Sequence, residues 1–254
     1  MIIISDEIIE EVEMEFKKIL NNNSVKNIKS FKWSKLNKIN KVNAFKDFFN
    51  YISPFLLNNQ IYIHVLIWNV NDSRHLVYPR DDNKNLQIMY YKIIRNFANY
   101  YLNDEDSLVI YPDRQNILNW QLIEEILEKE GFFTLKYGRT IHIEESNTND
   151  AFLIQLADIF AGIGRTSYVD YEDYELRGDE NQKTLIQFEN DISVLKKSRF
   201  KIIRFINNWA KKHKLQISIK KTKGFKSHKK GPLNFWLYEP QREEDKAPIK
   251  EKNL

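Results

Sequence analysis

Asp158 stands in the run Ile154-Gln155-Leu156-Ala157-Asp158-Ile159-Phe160-Ala161-Gly162, whose other members, Gln155 apart, are apolar or glycine. A carboxylate in such a helix is costly unless it is paired or holds a metal. Gln155, three residues earlier, shares its helix face. The competing explanation is a structural aspartate satisfied by a lysine or a backbone amide; the metal ligand is the expectation adopted here. Asp113 directly follows Leu108–Pro112, which puts it at the carboxyl end of a strand, although it could equally cap the next helix together with Asn116. Two carboxylates from different elements at one sheet edge can hold Mg²⁺ or Mn²⁺ and activate a water for in-line attack on a phosphodiester. A third cluster, Asn71-Asp72-Ser73-Arg74-His75 with Arg80-Asp81-Asp82, follows the most apolar strand. There Arg74 could clamp a phosphate and His75 shuttle a proton, or the residues could pair with one another and order a polar loop. Glu144 and Glu145 are further candidate ligands.

Charge adds the substrate side of this chemistry. Net charge is only +4, but Lys196–Lys230 carries 14 Lys/Arg and no acid, and residues 16–46 carry nine lysines and no acid. Between them, Asp104–Leu195 has 20 Asp/Glu against seven Lys/Arg. Solvated helix faces would produce such blocks. So would a nuclease whose lysines hold phosphates while its carboxylates hold ions. Lys220, Lys221, Lys223 and Lys226 are the lysines expected to meet nucleic acid.

These residues need a scaffold, and 254 residues with 42% hydrophobic content suffice for one. Global disorder is excluded, and no apolar run approaches the ~20 residues of a membrane helix. Zero cysteines exclude disulfides, thiolate zinc sites and a cysteine nucleophile. Met1–Ile4 runs straight into Asp6 and Glu7, so no secretory signal is expected and a cytoplasmic location follows. There is no phosphate-binding glycine loop, dinucleotide fingerprint, His-Glu-x-x-His or nucleophile elbow.

Periodicity predicts a helix from Ile8 to Leu20 with Met14 in its stripe, a helix over Val42–Tyr51 ending before Pro54, and a central strand at Ile61–Trp68 covered on both faces. Further expectations are a helix over Asn85–Tyr101, a strand at Leu108–Tyr111, a helix over Ile117–Lys129, and strands at Phe132–Tyr137 and Thr140–Ile143. A buried helix over Ala151–Gly162, a polar loop over Tyr168–Asn181, a long helix over Thr184–His213 and a basic tail complete the chain. Trp33, Trp120, Trp209 and Trp236 are expected in the core. Alternating strands and helices make an α/β domain with a mixed central sheet flanked by helices. We expect one domain over 1–254, with a sheet-and-helix core over about 1–167 and a helical, basic extension over about 182–254.

Several strings occur in a telling order: Ile63-His64-Val65-Leu66-Ile67-Trp68; Asp72-Ser73-Arg74-His75; Arg80-Asp81-Asp82-Asn83 with Met89-Tyr90-Tyr91; and Tyr111-Pro112-Asp113-Arg114-Gln115. The Asp158 helix follows, then Pro232-Leu233-Asn234-Phe235-Trp236, Tyr238-Glu239-Pro240-Gln241 and Asp245-Lys246-Ala247-Pro248. Across nearly the whole chain this series resembles the bacterial domain of unknown function 3800 family. The resemblance implies a ribonuclease H-like fold and two-metal phosphodiester chemistry, with Asp113 in the central-strand position and Asp158 in the late-helix position. Members of that family open with a strand bearing Asp-Glu-Ser, whereas Asp6-Glu7 here passes straight into a helix. Ser30 stands where the family has Glu before Lys32-Trp33. At least one acidic ligand is therefore expected to be missing, as in a shortened gene product, a weakened enzyme or a non-catalytic relative.

The expected function is metal-dependent nucleic-acid cleavage. The alternative is an inactive module of the same fold that binds nucleic acid or a partner. A protein partner or homo-oligomer would be indicated by an exposed apolar patch. No membrane partner is expected.

Overall fold

The structure is a computed structural model and describes residues 1–27, 31–69, 82–103, 106–113, 119–129, 140–143, 152–177 and 193–239. Along the chain these form β1 (Ile2–Ile4), α1 (Asp6–Asn22), α2 (Ile39–Leu57), β2 (Ile61–Ile67), α3 (Asp82–Tyr101), β3 (Ser107–Ile110) and α4 (Trp120–Lys129). Then come β4 (Thr140–Ile143), α5 (Phe152–Val169), α6 (Tyr171–Arg177), α7 (Val194–Lys212), β5 (Ile217–Ser218), β6 (Lys226–Ser227) and β7 (Leu233–Leu237). The class is mixed α/β, with helices dominating three small sheets among the described residues. Contacts divide the chain into two compact units: residues 1–67 with 149–236, and residues 68–148 with 237–254.

The first unit is built on β2. This strand lies between antiparallel β1 and β7, with Ile2 opposite Ile63 and Ile4 opposite Ile61. Ile61, Ile63 and Val65 are buried on one side, whereas Tyr62 and Leu66 on the other are half-buried around a buried His64. Gly164 of α5 lies so close that a Cβ there would stand 2.8 Å from Val65 Cγ1. The packed face of β2 therefore meets α5 with almost no intervening side chain. Helix α1 begins with Asp6 and Glu7, whose charges suit a helix start. It buries Ile8, Val12, Phe16, Ile19 and Leu20, while Met14 points outward, contrary to its place in the expected stripe. Aromatic rings fill the space between the helices: Phe16 meets Phe48 edge-on at 4.8 Å, and Phe49 meets Trp209 at 4.9 Å.

Four further expectations are corrected. Helix α2 does not stop before Pro54 but continues to Leu57. Proline's fixed φ suits a helix, and its missing N–H matters less in a last turn held by buried Leu56 and by the Trp209 Nε1–H bond to Ser53 Oγ, 2.6 Å. Helix α5 runs through Gly162 to Val169. Gly162 is a close-approach position, since a Cβ there would fall 2.1 Å from Trp33 Cγ. The expected polar loop after Tyr168 contains helix α6, which buries Tyr171 and Tyr174. Nor is the stretch after α7 a tail. Ile217 pairs with Ser227 and Ser218 with Lys226, Phe225 is buried, and β7 joins the sheet. The Thr184 start of the long helix and the Phe132–Tyr137 strand fall outside the described residues. Trp33, Trp120 and Trp209 are core residues as expected, and Trp236 is half-buried.

The second unit pairs β3 with β4 in parallel, Leu108 opposite Ile141, with α4 between them in sequence. Helix α3 buries Met89, Ile94, Phe97 and Ala98, and Tyr90 meets the buried Trp120 edge-on at 5.0 Å.

Candidate functional site

Asp158 is exposed, which overturns the premise that its carboxylate is buried among apolar neighbours. It begins the outward stripe Asp158, Ala161, Arg165 and Val169, all exposed at helical spacing, while Gln155, Leu156, Ile159 and Phe160 are buried. Arg165 seven residues on was the signal in the sequence that could have revealed this. Gln155 shares a helix face only loosely with Asp158: it is 1% exposed, and its Oε1 has no hydrogen-bond partner among the described residues.

The Asp158 carboxylate accepts the backbone N–H of Trp33 at 2.8 Å. The same tryptophan donates its indole N–H to Thr166 Oγ1 at 3.0 Å, and its carbonyl accepts Arg199 Nη2–H at 3.3 Å. The Arg199 guanidinium also lies over the indole, 5.2 Å from the ring. Burial lowers the Arg199 pKa from its usual value, with Arg165 pushing the same way and Asp170 and Asp158 opposing. Trp33 thus joins α5, α7 and the lysine-rich segment before α2. Neither Trp33 nor Arg199 was recognised from sequence as part of a site, because the contacts span 125 to 166 residues.

Asp113 is exposed just beyond β3, and its charge adds to burial in raising the Tyr90 pKa. It belongs to the second unit and Asp158 to the first. Asp82 is exposed in the first turn of α3, where an acid suits the helix dipole. Asn71, Asp72, Ser73, Arg74, His75, Arg80, Asp81, Gln115, Glu144 and Glu145 lie outside the described residues. Among the described residues no group of three His, Asp or Glu comes together as a metal site would require.

The basic turn is better defined. Residues 219–225 link β5 to β6, with Lys223 at φ +50°. Ile219 and Phe225 anchor its two ends in the core, and the Gly224 N–H closes it on the Ile219 carbonyl at 3.0 Å. From α5, Ser167 Oγ accepts the Phe225 N–H at 3.0 Å and the Tyr168 hydroxyl donates to the Phe225 carbonyl at 2.8 Å. Lys220, Lys221 and Lys223 are exposed on this clamped turn, and Lys226 is half-buried in β6. Not all of the 14 cations share this fate. Lys196 binds Asp170 at 2.8 Å and also Asp173, and these bonds raise its pKa.

Fold and site together define a mixed α/β protein with a helical first unit that presents a clamped basic turn. The chain is similar to two proteins of Methanothermobacter thermautotrophicus described as uncharacterized, ORF2′ and ORF2. It is 34% identical to the first over 76% of this chain and 70% of that protein, and 33% identical to the second over 74% and 68%. It belongs to the family of these ORF2 proteins. No family model and no solved structure matches it.

Proposed function

We propose that this protein is a cytoplasmic nucleic-acid-binding protein that engages the phosphate backbone through the Lys220–Lys226 turn. The observation that carries this reading is the turn itself: three exposed lysines on a loop whose ends are buried and whose Phe225 end is hydrogen-bonded to α5. Cations held in place in advance lose little entropy when they meet phosphates, and each contact releases counterions.

A second reading is Mg²⁺- or Mn²⁺-dependent cleavage by a ribonuclease H-like protein related to the domain of unknown function 3800 family. It is supported by the ordered motif strings and by the exposure of both Asp113 and Asp158, since a ligand that meets substrate must be reachable. Asp113 and Asp158, acids of different units, are each candidate ligands, and an ion held by either would supply Lewis-acid stabilisation of phosphate charge. Arg74 would neutralise the phosphate and His75 would carry the proton.

Both readings meet one experiment, in which labelled RNA, DNA and hybrid are incubated with Mg²⁺, Mn²⁺ or chelator. Binding that survives chelation and weakens steeply with salt is expected; salt-independent or absent binding would overturn the first reading. Metal-dependent cleavage abolished by Asp158→Asn would establish the second, because asparagine keeps an oxygen for the Trp33 N–H. Cleavage unchanged in that variant removes Asp158 from the chemistry.

A further inference from the structure

We infer that the segment leading into α2 is a second phosphate-contact surface, with exposed Lys35 and Lys38 taking the backbone of the nucleic acid that the Lys220–Lys226 turn engages and Lys41 adding its charge behind them. This rests on the proposed nucleic-acid binding and adds a surface that reading does not use.

The residues stand close together. Lys41 Nζ donates to the Lys35 carbonyl at 3.0 Å, and Lys35 and Lys38 are exposed. Burial lowers the Lys41 pKa, and the nearby charges of Lys35 and Lys38 lower it further. Residues 16–46 contain no acid, so compensating charge must come from elsewhere in the chain, as Asp158 comes to Trp33. Their place in the fold makes matters worse. α2 starts there with Lys38 as its N-cap, no side-chain cap and no acid in its first turn. A helix start carries partial positive charge and favours acids, so three cations gathered there work against folding. Lys41 is partly compensated by its bond to the Lys35 carbonyl, but exposed Lys38 at the helix start breaks a local rule, as functional surfaces do.

The segment is also anchored. Phe31 and Leu36 are fully buried, and Trp33 is held by Asp158, Thr166 and Arg199. The partner such a surface suits is a polyanion with repeating charge that needs no base reading. Trp33 rests on Gly162 and Thr166, and the basic turn on Ser167 and Tyr168. Both therefore attach to the same two turns of α5.

The test is fluorescence anisotropy of a short labelled duplex and its single strand, titrated across salt concentrations with the full chain. Three triple variants remove equal charge: K35Q/K38Q/K41Q, K220Q/K221Q/K223Q, and the control K17Q/K18Q/K26Q, in which Lys17 and Lys18 already pair with Glu13 and Glu15. The first should lose roughly tenfold or more in affinity at low salt and flatten the log–log salt slope by about 2–3, and the control by less than about 1. Identical behaviour of the first variant and the control would overturn the inference. Loss confined to the second variant would overturn it while leaving the proposed function standing; no effect of any triple defeats both. Binding of phosphatidylserine vesicles in place of nucleic acid would also overturn it. Should K35Q/K38Q/K41Q fail to fold by circular dichroism, exposed K38Q alone must flatten the slope by about 1, and an unchanged slope defeats the inference.

Discussion

Lys196 and the Lys220–Lys223 turn belong to the same acid-free run of sequence, yet the fold uses them in opposite ways. Lys196 is spent on Asp170 and Asp173, carboxylates that flank the start of α6 more than twenty residues earlier. Its neighbour Arg199 is spent on the Trp33 carbonyl and ring. The turn lysines face water on a loop fastened from beneath. Counting 14 positive charges therefore overstates what a phosphate would meet. Availability depends on which cations the rest of the chain has already neutralised.

The turn can be detached from its support. Phe225 is fully buried and stacks on Phe235 with centroids 4.7 Å apart. Phe225→Ala should cost about 3–5 kcal/mol in denaturant unfolding, the largest effect expected here, and should weaken nucleic-acid binding in the fraction that stays folded. Full affinity with a large stability loss would mean that the clamp does not serve binding.

Acid presses on the far end of the same run. His64 is buried in β2, bonded to the Gly231 backbone and near Lys230. Burial first, then the positive charges nearby, lower its pKa to about 3. The unfolded chain takes up that proton near pH 6.5 and the folded chain does not, so stability is full above 6.5 and falls as pH drops toward 3. One proton makes the loss about 2 kcal/mol between pH 7 and pH 5. His64→Leu should remove that slope in pH-dependent melts, leaving what other groups contribute, among them the Met1 amino group bonded to the His64 carbonyl. An unchanged slope would show that His64 is hydrated or already protonated.

The smallest effect belongs to Lys196. Its ion pairs are partly solvated, so Lys196→Gln should cost about 0.5–1 kcal/mol, less at high salt, with little change in nucleic-acid affinity. A loss of affinity equal to that of the turn variant would erase the distinction between the two halves of the run.

Much of this was legible in the chain. Ile61–Ile67 announces a core strand by its unbroken β-branched run, and α1, α3 and α5 by helical apolar spacing, because burial imposes a period that local sequence must match. The existence of the basic turn's charge was equally plain. The errors share one cause. Pro54 and Gly162 read as stops on local propensity, but both lie within helices whose neighbours reward continuation: Leu56 and Trp209 in one case, Trp33 in the other. Asp158 read as buried because its immediate neighbours are apolar, whereas a helix exposes whatever lies on its outer stripe. That it holds the Trp33 N–H, that Lys196 is neutralised and that Lys220–Lys223 are not by any described residue, only tertiary structure could decide. These are pairings between residues distant in sequence, and composition carries no distance.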